Sequence, residues 1–281
     1  MQNDKVKFKN ESERIFEQYL DSNGFKDKWT YEPSIPGKRK KPDYLLNWKG
    51  CKYFFEVKEL RKKPNEQTVE AKCFDPYSSL RMKINEARKQ FKDYKEYSCS
   101  LVVFCVYDET FRSDPRIIFG AMLGNLGTLA EFDTKRGRII EGSKRNAFLG
   151  DGKMINYKGK QSQNTTISAI VVLEQFLDNI EVEKAMINET KKHGNTFDGI
   201  EWIQLRQKLH KIYQVRREPR LIVVENPYAR VVFPWDLFRG SFDERWKWRE
   251  DLNGKVERVF AGSKLKELEK LKDKSKYYNA K

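Results

Sequence analysis

Histidine is almost missing from this chain. The 281 residues hold only His193 and His210, too far apart and without the spacing of metal ligands, so histidine-based metal hydrolysis is poorly served. Cys51, Cys73, Cys99 and Cys105 form no C-x-x-C pair, and three of them lie in or beside strand-like runs. Neither a disulfide framework nor a structural zinc site is expected, and the reducing cytoplasm is the expected compartment. No apolar run approaches the length of a membrane span. The opening stretch "MQNDKVKFKNESERIF" has no apolar signal core, so export is not expected. "GAMLGNLG" and "GDGK" match neither a dinucleotide fingerprint nor a P-loop, and nothing calls for a nucleotide cofactor. Acid is also short, with 41 Asp+Glu against 56 Lys+Arg, a formal charge of +15.

That surplus suits a polyanionic partner, nucleic acid before an anionic membrane surface, although a lysine-rich soluble protein would carry it too. DNA is the expected partner, RNA stays open, no membrane partner is expected, and a homodimer is compatible with the sequence.

Periodicity predicts an α/β chain. Ile15, Phe16, Tyr19 and Leu20 make a helical stripe over Ser12–Ser22, stopped by Asn23-Gly24. Tyr44–Trp48 and Cys51–Val57 read as strands around Lys49-Gly50. Leu80, Ile84, Ala87, Phe91 and Tyr94 line one helix face, and "LVVFCVY" (Leu101–Tyr107) reads as a strand buried on both faces. Arg116–Met122, Ile167–Leu173 and Leu221–Phe233 are expected as further strands, and "WIQLRQKLHKIY" as a helix. Residues 1–240 are read as one domain, with a core at about 11–107 elaborated by 108–240. From Ser241 a charged, helical tail is expected.

A two-residue loop at Lys49-Gly50 sets Trp48 opposite Cys51 and Asp43 opposite Glu56, with Lys58 on the same face. Two opposed carboxylates repel unless a positive group lies between them. As hard oxygen donors they suit Mg²⁺, with Mn²⁺ as a substitute, and Lys58 can orient water or stabilise phosphoryl charge.

These residues, "PDY" and "EVK" twelve residues apart, resemble the PD-(D/E)xK motif of the restriction-endonuclease-like nucleases. The resemblance covers about residues 11–107. It implies a core in the order α-β-β-β-α-β, metal held by Asp43 and Glu56, and assistance from Lys58. "KWTYEP" at Lys28–Pro33 is the candidate for the third strand. By the same resemblance, Glu13 of the first helix, ahead of Glu17, is expected to assist metal binding. "QFKDY" resembles the Q-x-x-x-Y motif of the recombination exonucleases, which makes Gln90 a catalytic candidate and Tyr94 a DNA contact. Lys38, Arg39, Lys40 and Lys41, with Arg81 and Lys83, are the expected phosphate contacts. Arg206–Arg220 is a further basic stretch that could face DNA, while Phe233, Trp235 and Phe238 read mainly as core. The combined expectation is a metal-dependent nuclease, endonuclease before exonuclease, with a catalytically silent nucleic-acid-binding protein on the same fold as the alternative.

Overall fold

A computed structural model describes residues 10–279 apart from 39, 61–76, 106–113, 157–160, 194–198 and 250–254. Helix α1 (Glu11–Leu20) starts at Asn10, whose side chain accepts from the Glu13 backbone while the Glu13 carboxylate accepts from the Asn10 N–H. This reciprocal cap satisfies two donors that helix geometry leaves over. β1 (Trp29–Tyr31), β2 (Tyr44–Trp48) and β3 (Cys51–Leu60) follow, then α2 (Ser78–Phe91) and β4 (Ser98–Cys105). β1 is the strand expected from "KWTYEP".

The β2–β3 connection is the two-residue turn that the sequence predicts. Lys49 and Gly50 have φ of 50° and 77°, the left-handed values that a tight hairpin needs at both central positions. Tyr44 therefore pairs with Phe55 and Trp48 with Cys51.

Beyond β4 the chain departs from expectation. Arg116–Met122 is not a strand but most of helix α3 (Pro115–Leu123), capped by the Asp114 side chain and opened by a proline at its first turn. Its apolar run is buried nearly all round, which removes the periodicity that separates helix from strand. A small excursion follows, in which β5 (Asn125–Leu129) pairs with β8 (Arg145–Leu149), β6 (Phe132–Asp133) with β7 (Arg138–Ile139), and β9 (Ile155–Asn156) with β10 (Gln161–Ser162). β11 (Ile167–Leu177), α4 (Ile180–His193), α5 (Gly199–Ile212) and β12 (Arg217–Glu225) come next. Leu221–Phe233 is thus only partly strand. The region from Ser241 is a helical tail only in part, since β13 (Glu244–Arg249) and β14 (Lys255–Ala261) precede α6 (Ser263–Asn279).

Among the described residues, eight strands form one mixed sheet in the order β1-β2-β3-β4-β11-β12-β13-β14. β3, β4 and β11 run parallel, and β1–β2, β2–β3, β11–β12 and β13–β14 are antiparallel. The alternation of side chains splits the core in two. On one face α2 and α3 cover Leu45, Phe54, Leu101, Val103 and Val172. On the other, α1 and the 233–238 segment cover Tyr44, Phe55, Val57, Val102 and Val171. Phe233 and Phe238 are buried there, whereas Trp235 is 57% exposed, with the Arg239 guanidinium 3.6 Å over its ring. Among the described residues no helix is long and apolar enough to cross a membrane.

Two buried polar centres tie this second layer down. Asp243 accepts from the Tyr19 hydroxyl, from Leu221 N at 2.9 Å and from Gly240 N at 2.6 Å, joining α1 to the sheet. Arg245, 1% exposed, is paired with Glu225 and donates to the carbonyls of Phe233 (3.0 Å), Pro234 (2.8 Å) and Trp235 (2.6 Å). Removing Arg245 leaves the buried Glu225 with Lys247 alone, at 3.1 Å, and takes the donor from three backbone carbonyls. Arg245→Met should therefore lower unfolding free energy by about 3–5 kcal/mol in urea titrations. A loss under about 1 kcal/mol would contradict this role.

Candidate active site

The hairpin register decides which side chains meet. With Tyr44 opposite Phe55, the residue before β2, Asp43, falls opposite Glu56. Asp43 Oδ2 accepts from the Val57 N–H at 2.8 Å, which fixes the carboxylate against β3. Phe54 and Leu60 belong to the α2 face and Phe55 and Val57 to the α1 face, so Glu56 and Lys58 point towards α2.

Lys58 lies between the two acids. Its Nζ is 2.6 Å from Glu56 Oε1 and 3.7 Å from Asp43 Oδ2. Burial works against this ammonium, but Glu56, Asp43 and Glu86 outweigh it, and the Lys58 pKa is raised. The Glu56 side chain is 1% exposed. Burial, then the Asp43 charge, push its pKa above the usual carboxylate range, while Lys58 and Gln90 draw it partly back. Neither neighbour aligns a donor well, because both Glu56 oxygens lack a hydrogen bond of regular geometry. A carboxylate buried with so little regular hydrogen bonding is costly to keep ionised.

Gln90, on the last turn of α2, reaches Glu56 as the sequence suggests. Glu86, one turn earlier, lies near enough for its charge to raise the Lys58 pKa and forms an ion pair with Lys83 at 3.0 Å. No sequence signal marks Glu86; only the packing of α2 on β3 brings it in.

Glu13 does not join this group. It closes the α1 capping box and accepts from the Tyr31 hydroxyl at 3.3 Å. The physical reason is that α1 packs on the opposite face of the sheet. Glu17 accepts from the Tyr44 hydroxyl at 2.9 Å. Among the described residues, no group of three or more His, Cys, Asp or Glu side chains is arranged to hold a metal ion. Any cation here would depend on Asp43 and Glu56, whose hard oxygens suit Mg²⁺ or Mn²⁺.

The expected phosphate contacts divide. Tyr94 is fully buried, its ring 4.7 Å from that of Phe54 and its hydroxyl donating to Lys40 O at 2.7 Å. It is a core residue that pins the backbone at Lys40, not a surface contact. Lys38 is drawn to the same anchor, binding the Asp93 carbonyl, pairing with Glu96 at 3.3 Å and lying over the Tyr94 ring. Arg81 donates to Gly120 O at 3.2 Å and Asn125 Oδ1 at 3.0 Å, which joins α2 to the start of the excursion. Lys40 and Lys41 are exposed. Arg39 lies outside the described residues.

The raised Glu56 pKa has a consequence for stability. Glu56 holds its proton more tightly folded than unfolded. Its contribution is therefore most favourable below its unfolded pKa and is lost as pH rises through the folded value. Glu56→Gln cannot ionise and escapes that loss. In EDTA it should melt at a higher temperature than the unaltered protein near neutral pH, with the gain fading as acid protonates Glu56. A variant melting lower at neutral pH would contradict the assignment.

No family model, curated protein or solved structure matches the chain, so the reading of this site rests on its own geometry and chemistry.

Proposed function

We propose that the protein is a metal-dependent phosphodiester hydrolase acting on nucleic acid, with DNA as the favoured substrate, and that it belongs with the PD-(D/E)xK nucleases. The observation that carries this reading is Glu56, a buried carboxylate without an aligned donor, set by register against Asp43 and beside Lys58. Two acids and one ammonium leave a net negative charge facing inward, which a divalent cation would offset. The order α1-β1-β2-β3-α2-β4 supports the same reading.

Asp43 and Glu56 are the residues that would hold Mg²⁺ or Mn²⁺. Such an ion, when bound, polarises a phosphoryl oxygen and lowers the pKa of a coordinated water. The chain's own groups do the rest. The Val57 N–H holds Asp43 in place, and Gln90 steadies Glu56 from α2. Lys58 keeps its proton next to two acids, so it acts as a fixed positive charge and not as a base. It attracts the scissile phosphate and stabilises charge on its oxygens as water bonds to phosphorus and the bond to the leaving sugar oxygen breaks. The attacking water gives up a proton to solvent, and the leaving oxygen takes one up from solvent.

One observation favours a second reading. Lys58 already lies 2.6 Å from Glu56, so the ion pair alone could serve a nucleic-acid-binding protein that cleaves nothing.

Cleavage of supercoiled plasmid, linear duplex and single strands in Mg²⁺ and in EDTA separates the two. The proposal predicts nicking or linearisation in Mg²⁺ only. Asp43→Ala and Glu56→Ala should abolish it while DNA is still bound. Lys58→Ala should slow it by about 10²–10³-fold. DNA binding without any Mg²⁺-dependent cleavage would support the second reading and overturn the first.

A further inference from the structure

The last turn of α2 borders an open groove of about 930 Å³. Six exposed cations line it: Lys40 from the loop before Asp43, Arg88 and Lys89 at the end of α2, Lys92 and Lys95 just past it, and Arg230 after β12. Asp93 is the acid among the lining residues, and the 164–166 turn forms part of the wall. Lys40, Lys89, Lys92, Lys95 and Arg230 make no ion pair with a carboxylate among the described residues, in a chain where many other surface lysines and arginines do.

Local causes account for only part of this. Arg88 and Lys89 complement the carboxyl end of the α2 dipole. Arg88 also donates to Asn164 Oδ1 at 3.3 Å. Neither argument reaches Lys40 or Arg230, which come from distant parts of the chain. Lys89 and Lys92, three residues apart at the end of α2, are like charges at a spacing that repels. The wall is nevertheless held in shape: Tyr94 fastens Lys40 O, Lys38 fastens Asp93 O, and Thr165 O accepts the Arg230 N–H at 2.7 Å. Cations gathered on an anchored frame, five of them without a carboxylate partner among the described residues, define an anion site. Its open shape and charge do not suit an apolar small molecule.

We propose that this groove binds the sugar–phosphate backbone of the nucleic acid beside the point of cleavage. As a substrate track it rests on the function proposed above. The link is Lys40, three residues before Asp43, and Asp93, which lines the groove three residues beyond Gln90, the residue that interacts with Glu56. A strand held by these cations would run towards Asp43, at the edge of the Asp43–Glu56–Lys58 site. The contacts are to phosphate, so they set position and affinity without reading sequence.

The test is fluorescence anisotropy of a labelled DNA duplex in EDTA across a salt series. It compares the full-length protein with a groove variant (Lys89→Gln, Lys92→Gln, Lys95→Gln) and a control of equal charge loss (Lys255→Gln, Lys266→Gln, Lys270→Gln). The control residues are exposed on β14 and α6, and β14 is the far edge of the sheet. The groove variant should lose on the order of tenfold or more in affinity, with a log–log salt slope shallower by about 2–3. The control should stay close to the unaltered protein. Equal losses in both variants, no loss in the groove variant, or no salt-dependent binding by the unaltered protein would overturn the proposal. Groove-dependent binding without Mg²⁺-dependent cleavage would leave the groove standing as an anion site and remove only the hydrolase reading. Cleavage with groove-independent binding would do the reverse.

Discussion

The tight turn at Lys49-Gly50 is the constraint on which the site depends. A strand alternates its side chains with a period of two, so one residue more or fewer in this turn would send Glu56 and Lys58 into the α1 layer. Positive φ at both positions keeps the turn at two residues. The resulting register sets Asp43 beside Glu56 and aims Glu56 and Lys58 at α2. The same alternation sends Phe55 and Val57 into the other core layer, so a slipped hairpin would also drive the charged Glu56 and Lys58 into that apolar layer. The packing that stabilises the sheet and the geometry of the site therefore demand the same register.

Helix α2 is the second determinant. Its apolar stripe, Leu80, Ile84, Ala87 and Phe91, is wholly buried on the sheet. That contact brings the flanking Glu86 and Gln90 to Lys58 and Glu56. A single helix thus covers the carboxylate, excludes water from it and carries the beginning of the basic groove. Exclusion of water gives the site its electrostatic tension, since an ionised Glu56 is stabilised poorly by protein dipoles and well only by a nearby cation.

Much of this was legible in the sequence because it follows from strong local rules. Lys49-Gly50 between two apolar runs specifies the hairpin, and with it the opposition of Asp43 and Glu56. The stripe of α2 specifies its inner face, on which Tyr94 continues the spacing and becomes core. The cap of α1 was also present in Asn10 and Glu13, three residues apart and ahead of Ile15 and Phe16. That signal assigns Glu13 to the backbone, whereas the family resemblance suggested metal. Other features escape such rules. The Arg116–Met122 run is buried nearly all round and so carries no period. "ERWKWR" and "KVERVFA" do alternate, yet their Lys, Glu and Arg content imitates a solvated helix, and their role as sheet strands depends on β13 pairing with β12 and β14 with β13. The groove could not be read at all, since Lys40, the end of α2 and Arg230 meet only when the sheet forms.

The account stands or falls on whether Asp43 and Glu56 bind a divalent cation together. Titration of Mn²⁺ followed by its electron paramagnetic resonance signal measures this directly, free of any assumption about substrate. The account predicts that the unaltered protein removes free Mn²⁺ from solution at a saturable site, that Mg²⁺ competes for it, and that Glu56→Gln and Asp43→Asn each abolish it. Saturable binding that survives both substitutions, or no binding by the unaltered protein, would contradict it.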